Sequence, residues 1–179
     1  MTTSFSAVLL LTSIFHHPPQ HRFMINNDIL RRIRYALDIA NPEAVKIFKH
    51  AHQNIDEAGV LARIAREDDL NYIECSNQEL GDFLDGLIIE KRGQRDPENP
   101  AQQQDNSKLT RNDILKKLRV ALTYKEEDML HALKLGGINM SSSELGALFR
   151  NPKHKHYRPC GQQALRGFLK GITEILRKS

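Results

Sequence analysis

Two related motifs hold the side chains with the most chemical potential. Tyr72-x-x-Cys75 recurs as Tyr157-x-x-Cys160, and the segment RNPKHKHYRPC, 150–160, sets His154 and His156 before the second cysteine. Thiolates and imidazoles ligate zinc, and a thiolate of lowered pKa is also a nucleophile or redox partner. The first copy carries Asp69, Asn71 and Cys75 at the corresponding positions, so the histidines are not part of the shared design. Two histidines at i and i+2 in a loop are a weak ligand set, and His16, His17, His21, His50, His52 and His131 show no ligand spacing. Glu67, Asp68 and Asp69 could supply paired carboxylates, but their counterparts are Pro152, Lys153 and His154, which reads as a solvated loop. There is no nucleophile elbow, Gly-rich phosphate loop or helical HExxH. Catalysis therefore finds no support, no cofactor or metal is implied, and non-catalytic binding is the expectation.

The cysteines have a structural reading as well. Ser76 and Glu79 have capping-box spacing, which makes Cys75 the residue before the cap and Leu80 the residue a hydrophobic staple would bring to it. Gly161 and Ala164 remove the box from the second copy, yet Cys160 and Leu165 keep the staple pair. A buried, apolar cysteine at a helix start accounts for both motifs. With two thiols there is no disulfide framework, and a reducing cytoplasm is the expected compartment.

The recurrence extends far beyond these motifs. NDILRRIRYAL from Asn27 returns as NDILKKLRVAL from Asn112, and an offset of 85 aligns 27–93 with 112–178 without a gap. Tyr72, Cys75, Phe83, Leu84 and Gly86 meet Tyr157, Cys160, Phe168, Leu169 and Gly171, in a tandem duplication. The expected division is a leader (1–23), a first repeat (24–93), a flexible linker (94–107) and a second repeat (108–179). The linker has two prolines and no apolar residue larger than Ala101, which predicts a solvated chain. The leader's apolar run is too short to span a bilayer and lacks the flanks of a secretory signal. Met24, directly before the first repeat, is the expected start of translation.

Apolar spacing is helical throughout, so the fold class is all-α, two tandem four-helix repeats. The first helix presents Ile29, Leu30, Ile33, Ala36 and Leu37, with Asn27 as its expected N-cap. The second starts near Pro42 and turns Ala44, Val45, Phe48 and Ala51 inward, or Met129, Leu130 and Leu133 in the second copy. The third follows Asp56 or the Ser141–Glu144 capping box, and the fourth carries Leu80, Phe83, Leu84, Leu87 and Ile88 up to Gly93. Gly86 and Gly171 lie inside fourth helices at a cost of roughly 1 kcal/mol, which predicts close helix–helix approach. Arg34 and Arg119 lie off the apolar stripe. They could bind an anion, but hydrogen bonding to helix-end carbonyls of their own fold is the expectation.

Charge separates the copies. Residues 24–93 hold 9 Lys/Arg against 13 Asp/Glu, a net of −4, whereas 108–179 hold 15 against 6, a net of +9. The basic copy concentrates charge in Lys116, Lys117, Arg119, Arg150, Lys153, Lys155, Arg158, Arg166, Lys170, Arg177 and Lys178. Such a footprint suits a phosphate backbone, and Tyr157 could stack on a base. It equally suits a solvated face or docking against an acidic repeat. The candidate anion or nucleic-acid contacts are Lys116, Lys117, Arg150, Lys153, Lys155, Tyr157, Arg158 and Lys170. A helix-turn-helix reading of the second and third helices fails to find base-reading side chains in SSSELGALFR.

MINNDILRRIRYAL, the ECS after the polar loop, FLDGLIIEKRG and the second LTRNDILKKLRVAL with YRPCGQQALRGFLKG resemble the YehS-like bacterial family. Its members carry two copies of a domain of unknown function (DUF1456), and the resemblance runs from Met24 to Ser179. It implies a cytoplasmic protein of duplicated helical fold that starts near Met24, with no activity, catalytic residue or cofactor to transfer. The expected role is a protein-interaction or regulatory adaptor, with a protein partner or self-association and no membrane contact. Nucleic-acid binding of low sequence specificity through the second repeat is the alternative.

Overall fold

The computed structural model describes residues 23–93 and 105–177, and the expected leader lies almost wholly outside them. In chain order the helices are α1 (Asn26–Leu37), α2 (Asn41–His50), α3 (Glu57–Ile64), α4 (Asn77–Arg92), α5 (Arg111–Ala121), α6 (Glu126–Leu135), α7 (Ser142–Leu148) and α8 (Gln162–Arg177). No strand occurs among the described residues. The class is all-α, with four helices per repeat.

Local chemistry sets the boundaries. Pro42 sits in the first turn of α2, Asp56 caps α3, and capping boxes start α4 (Ser76, Glu79), α5 (Thr110, Asp113) and α7 (Ser141, Glu144). Gly93 ends α4 at φ 79°. Asn27 is not the cap expected of it. Ile25 holds that position, Asn27 lies inside α1, and its side chain is fully buried.

Each repeat is not a closed unit. Within a repeat, α4 packs on α2 and α8 on α6, but α1 packs mainly on α8 and α5 mainly on α4. The central four helices thus form a ring, α1–α8–α5–α4, in which neighbours across the repeat boundary share the larger contacts. Like ends meet. Asn26, starting α1, bonds Cys75 O and Asn77 beside the start of α4, at 3.0 and 2.9 Å. Arg177, ending α8, bonds Tyr35 O and Asp38 beside the end of α1, at 2.6 and 2.5 Å. Arg92, its counterpart on α4, reaches Val120 O on α5 at 3.5 Å, the carbonyl equivalent to that of Tyr35. The four central helices therefore run in one direction about a pseudo-two-fold axis. A single hydrophobic core passes through both repeats, from Ile29, Phe48 and Phe83 to Leu115, Met129 and Phe168. The separate small cores implied by the duplication are merged into one.

The linker also ends sooner than its composition suggests. Asn106 is 5% exposed and donates to Asp82 and Asp85 at 2.9 and 3.0 Å, while its own amide bonds Gln78 at 2.9 Å. Asp82, almost fully buried, is held by amides of Gln53 (2.6 Å), Gln78 (2.8 Å) and Asn106, as a buried carboxylate requires. Lys117 of α5 pairs with Asp85 of α4 across the same seam.

The glycines explain how α2 and α6 come so close. A Cβ on Gly86 would lie 1.9 Å from Ile47 O, and one on Gly171 would lie 1.7 Å from Ala132 O. Backbone cannot yield as a side-chain tip can. Gly171→Ala and Gly86→Ala should each cost about 3 kcal/mol by overpacking. Gly146→Ala, whose Cβ meets nothing within 4 Å, should be neutral or stabilising by up to about 1 kcal/mol. Urea unfolding followed by circular dichroism measures all three.

Candidate functional site

The repeated polar residue at the start of each first helix builds the surface of interest. Asn27 donates to Arg63 O (2.9 Å) and Ile73 O (2.8 Å) and accepts from the Cys75 amide (3.0 Å) and the Tyr72 hydroxyl (3.3 Å). Asn112 donates to Leu148 O (2.7 Å) and Arg158 O (3.0 Å) and accepts from the Cys160 amide (2.8 Å). Each asparagine thus clamps both ends of the loop joining the third helix to the fourth. That role was missed in the sequence, although Asn27 and Asn112 are identical in the two copies, as are the cysteines whose amides they bind.

Between the clamps the two loops repeat their backbone bonds. Asp69 N to Arg66 O and Tyr72 N to Asp69 O return as His154 N to Asn151 O and Tyr157 N to His154 O. Ile73 N to Ala62 O returns as Arg158 N to Ala147 O, both at 3.1 Å. The Asp69 carboxylate accepts the Asn71 amide at 2.9 Å, and His154 Nδ1 accepts the His156 amide at 3.1 Å in the same place. His154 therefore serves as a turn acceptor. Among the described residues no group of three or more His, Cys, Asp or Glu is placed to hold a metal ion.

What differs is everything that points outward. The first loop shows Glu67, Asp68 and Asp69 with Leu70 fully exposed, beside Ile73 (47% exposed) and Leu61 of α3 (48%). The counterparts of Leu61, Leu70 and Ile73 are Gly146, Lys155 and Arg158. In the second repeat Arg150, Lys155, Tyr157 and Arg158 line a shallow cavity of about 250 Å³ with Ser143, Glu144, Ala147 and His156. Arg150 donates to His156 O at 3.1 Å and stiffens the loop. The Ser141 amide and hydroxyl, with Arg158 nearby, hold the Glu144 carboxylate below its usual pKa, so it stays charged among these cations.

Of the eight candidate contacts, four are thus brought together. Lys153 is exposed on the same loop outside the cavity lining, and Lys116 is exposed on α5. Lys170 lies apart, in the groove between α1 and α8 with Arg31, Arg32 and Tyr35. Lys117 is a correction: its side chain is 12% exposed and bridges the repeats to Asp85, so it is not part of an outward basic face. Arg34 and Arg119 also serve the fold. They donate to the equivalent carbonyls of Ile39 and Tyr124, at 3.1 and 3.2 Å, and Arg119 stacks over Phe149. Both cysteines are free and buried, and burial pushes the Cys75 thiol up to about 12 and the Cys160 thiol to about 11. Neither can serve as a thiolate near neutral pH.

A profile described as "Protein of unknown function (DUF1456)" matches residues 26–93 and again 111–178. The chain belongs to the DUF1456 family. A relative in Escherichia coli (strain K12), "Uncharacterized protein YehS", is 37% identical over 150 residues, covering 84% of this chain and 95% of its own. No solved structure matches the chain. The domain thus occurs twice in this chain, and the pseudo-two-fold ring is the architecture its two copies build here. No helix among the described residues is long and apolar enough to cross a membrane.

Two outcomes follow from the clamps and thiols. Asn112→Ala leaves two carbonyls and one amide without their partner and should cost about 2–3 kcal/mol. Hydrogen exchange at Cys160 should accelerate more than exchange in α2 or α4, as mass spectrometry of exchanged peptides would show. At pH 8 a thiol reagent should label Cys75 and Cys160 only as fast as the chain unfolds. Raised thiol pKa values stabilise the fold fully below pH 9, and this contribution is lost as pH rises from 9 towards 12, because only the unfolded thiols ionise there.

Proposed function

We propose that this DUF1456 protein is a non-catalytic protein-interaction adaptor whose contact surfaces are the two loops before α4 and α8. One observation carries the reading. The loops share their backbone hydrogen bonds and their asparagine clamps, yet one is acidic with exposed leucine and isoleucine and the other is basic. Packing demands explain the shared frame, since the clamps and cysteines face inward. They do not explain opposite charge on the outward side chains, which is what fitting to different neighbours would produce. Leu70 in particular contributes nothing to the core while fully exposed.

Nucleic-acid binding is the second reading, favoured by the convergence of Arg150, Lys155, Tyr157 and Arg158 on one cavity. Cations around an aromatic ring suit phosphates and a stacked base with little sequence preference.

One paired experiment separates the readings. The full chain is immobilised in cell extract treated with nuclease, and fluorescence anisotropy is measured in parallel on labelled RNA and DNA. The adaptor reading expects proteins retained by wild type and lost by Leu70→Asp/Ile73→Asp or by Lys155→Glu/Arg158→Glu, with no anisotropy change. Anisotropy that rises at low salt, with a log–log salt slope of about −3, and disappears in Lys153→Glu/Lys155→Glu/Arg158→Glu would establish nucleic acid instead.

A further inference from the structure

Resting on the reading of the two loops as binding surfaces, the geometry points to a specific partner: a second copy of this chain. We infer a closed dimer in which the acidic loop of each molecule meets the basic loop of the other.

Because α1, α4, α5 and α8 run in one direction, the loops leading into α4 and α8 lie at the same end of the molecule. Asn27 and Asn112 fix them beside α1 and α5, which sit across the ring from each other. That end therefore carries an acidic, apolar flank and a basic flank related by the pseudo-two-fold axis. Turning a second molecule end over end, about an axis perpendicular to the first, lays acidic loop over basic loop at both flanks at once. The contact is isologous and closes as a dimer, the commonest arrangement of identical subunits.

The facing chemistry is complementary in sign. Asp68 and Asp69 would meet Lys153, Lys155 and Arg158, all exposed on the other loop. Leu70, fully exposed, would lie over the loop that lines the cavity of about 250 Å³, where Ala147 and the Tyr157 ring are the apolar surface among charged neighbours. Within one molecule the ion pairs Lys117–Asp85 and Arg177–Asp38, which join the repeats, use neither loop.

Charge reversal tests this directly. The full chain is followed by sedimentation equilibrium at low ionic strength, with circular dichroism confirming that each variant is folded. Wild type should dimerise, with a dissociation constant that rises as salt is added. Asp68→Lys/Asp69→Lys and Lys155→Glu/Arg158→Glu should each raise that constant by at least about tenfold, because like charges then face at both flanks. An equimolar mixture of the two variants should restore a one-to-one dimer, as should a single chain carrying all four substitutions. A monomeric wild type, a dimer indifferent to either reversal, or a mixture that stays monomeric overturns the inference. The extract assay separates this from the adaptor reading. If wild type is monomeric but Leu70→Asp/Ile73→Asp and Lys155→Glu/Arg158→Glu still lose retained proteins, the self-partner falls and the adaptor stands. If the dimer forms as described and nothing is retained, the adaptor falls and the dimer stands.

Discussion

The first helix of each repeat is covered by the last helix of the other, and the rest of the architecture depends on that exchange. A copy of about 70 residues buries too little surface to be comfortable alone. Here the deficit is met between copies: α1 finds most of its apolar cover on α8 and α5 on α4. The consequence is one core in place of two. It also accounts for the seams being tied by specific polar contacts, with Lys117 on Asp85, Arg177 on Tyr35 and Asp38, and Asn106 inserted beside Asp82. Removing either repeat would expose the faces of two central helices, so the copies share one core and are not a concatenation of finished domains.

Helices, capping boxes and the glycine approaches were legible in the chain because they follow from local rules. Pro42, Ser141 with Glu144, and Gly86 within an apolar helix each state a geometric need at the residue itself. The exchange of partners was not legible, because an apolar stripe such as Ile29, Ile33 and Ala36 specifies burial without naming what covers it. Asn27 shows the same limit. An asparagine followed by Asp-Ile-Leu fits an N-cap by type, whereas its use as a clamp depends on Cys75, 48 residues later, arriving beside it. Asn106 was read as solvated from the polar company it keeps, and only the pocket left by Gly81 on α4 makes it a buried residue.

Comparing the copies position by position distinguishes what the fold needs from what it does not. Arg34 and Arg119 remain arginine and bond equivalent carbonyls, and Cys75 and Cys160 remain buried cysteines whose backbone amides donate to an asparagine side-chain oxygen. At Asp85 and Lys170 the copies diverge, because one seam is closed by an ion pair with Lys117 and the other leaves Lys170 in an open groove beside Arg32. The candidate basic residues therefore sort by environment. Lys117 belongs to the fold, Lys170 to a separate groove, and Arg150, Lys155, Tyr157 and Arg158 to the loop cavity.

That sorting bears on how much the net charge of the second repeat can mean. A total of +9 invites a polyanion reading, but Lys117, Arg119 and Arg177 spend their charge inside the molecule on Asp85, on Phe149 and on Asp38. Of the cations that still face outward, Arg150, Lys155 and Arg158 converge on one loop, set against a local acidic loop of the same backbone design, while Lys116 and Lys170 stand apart. Under the proposed reading such a surface would be specific through the match of two small patches, with steering and register from charge and the contact itself from a side chain such as Leu70. A long polyanion would draw on cations spread along a face, and here the cations that converge are those of a single clamped turn.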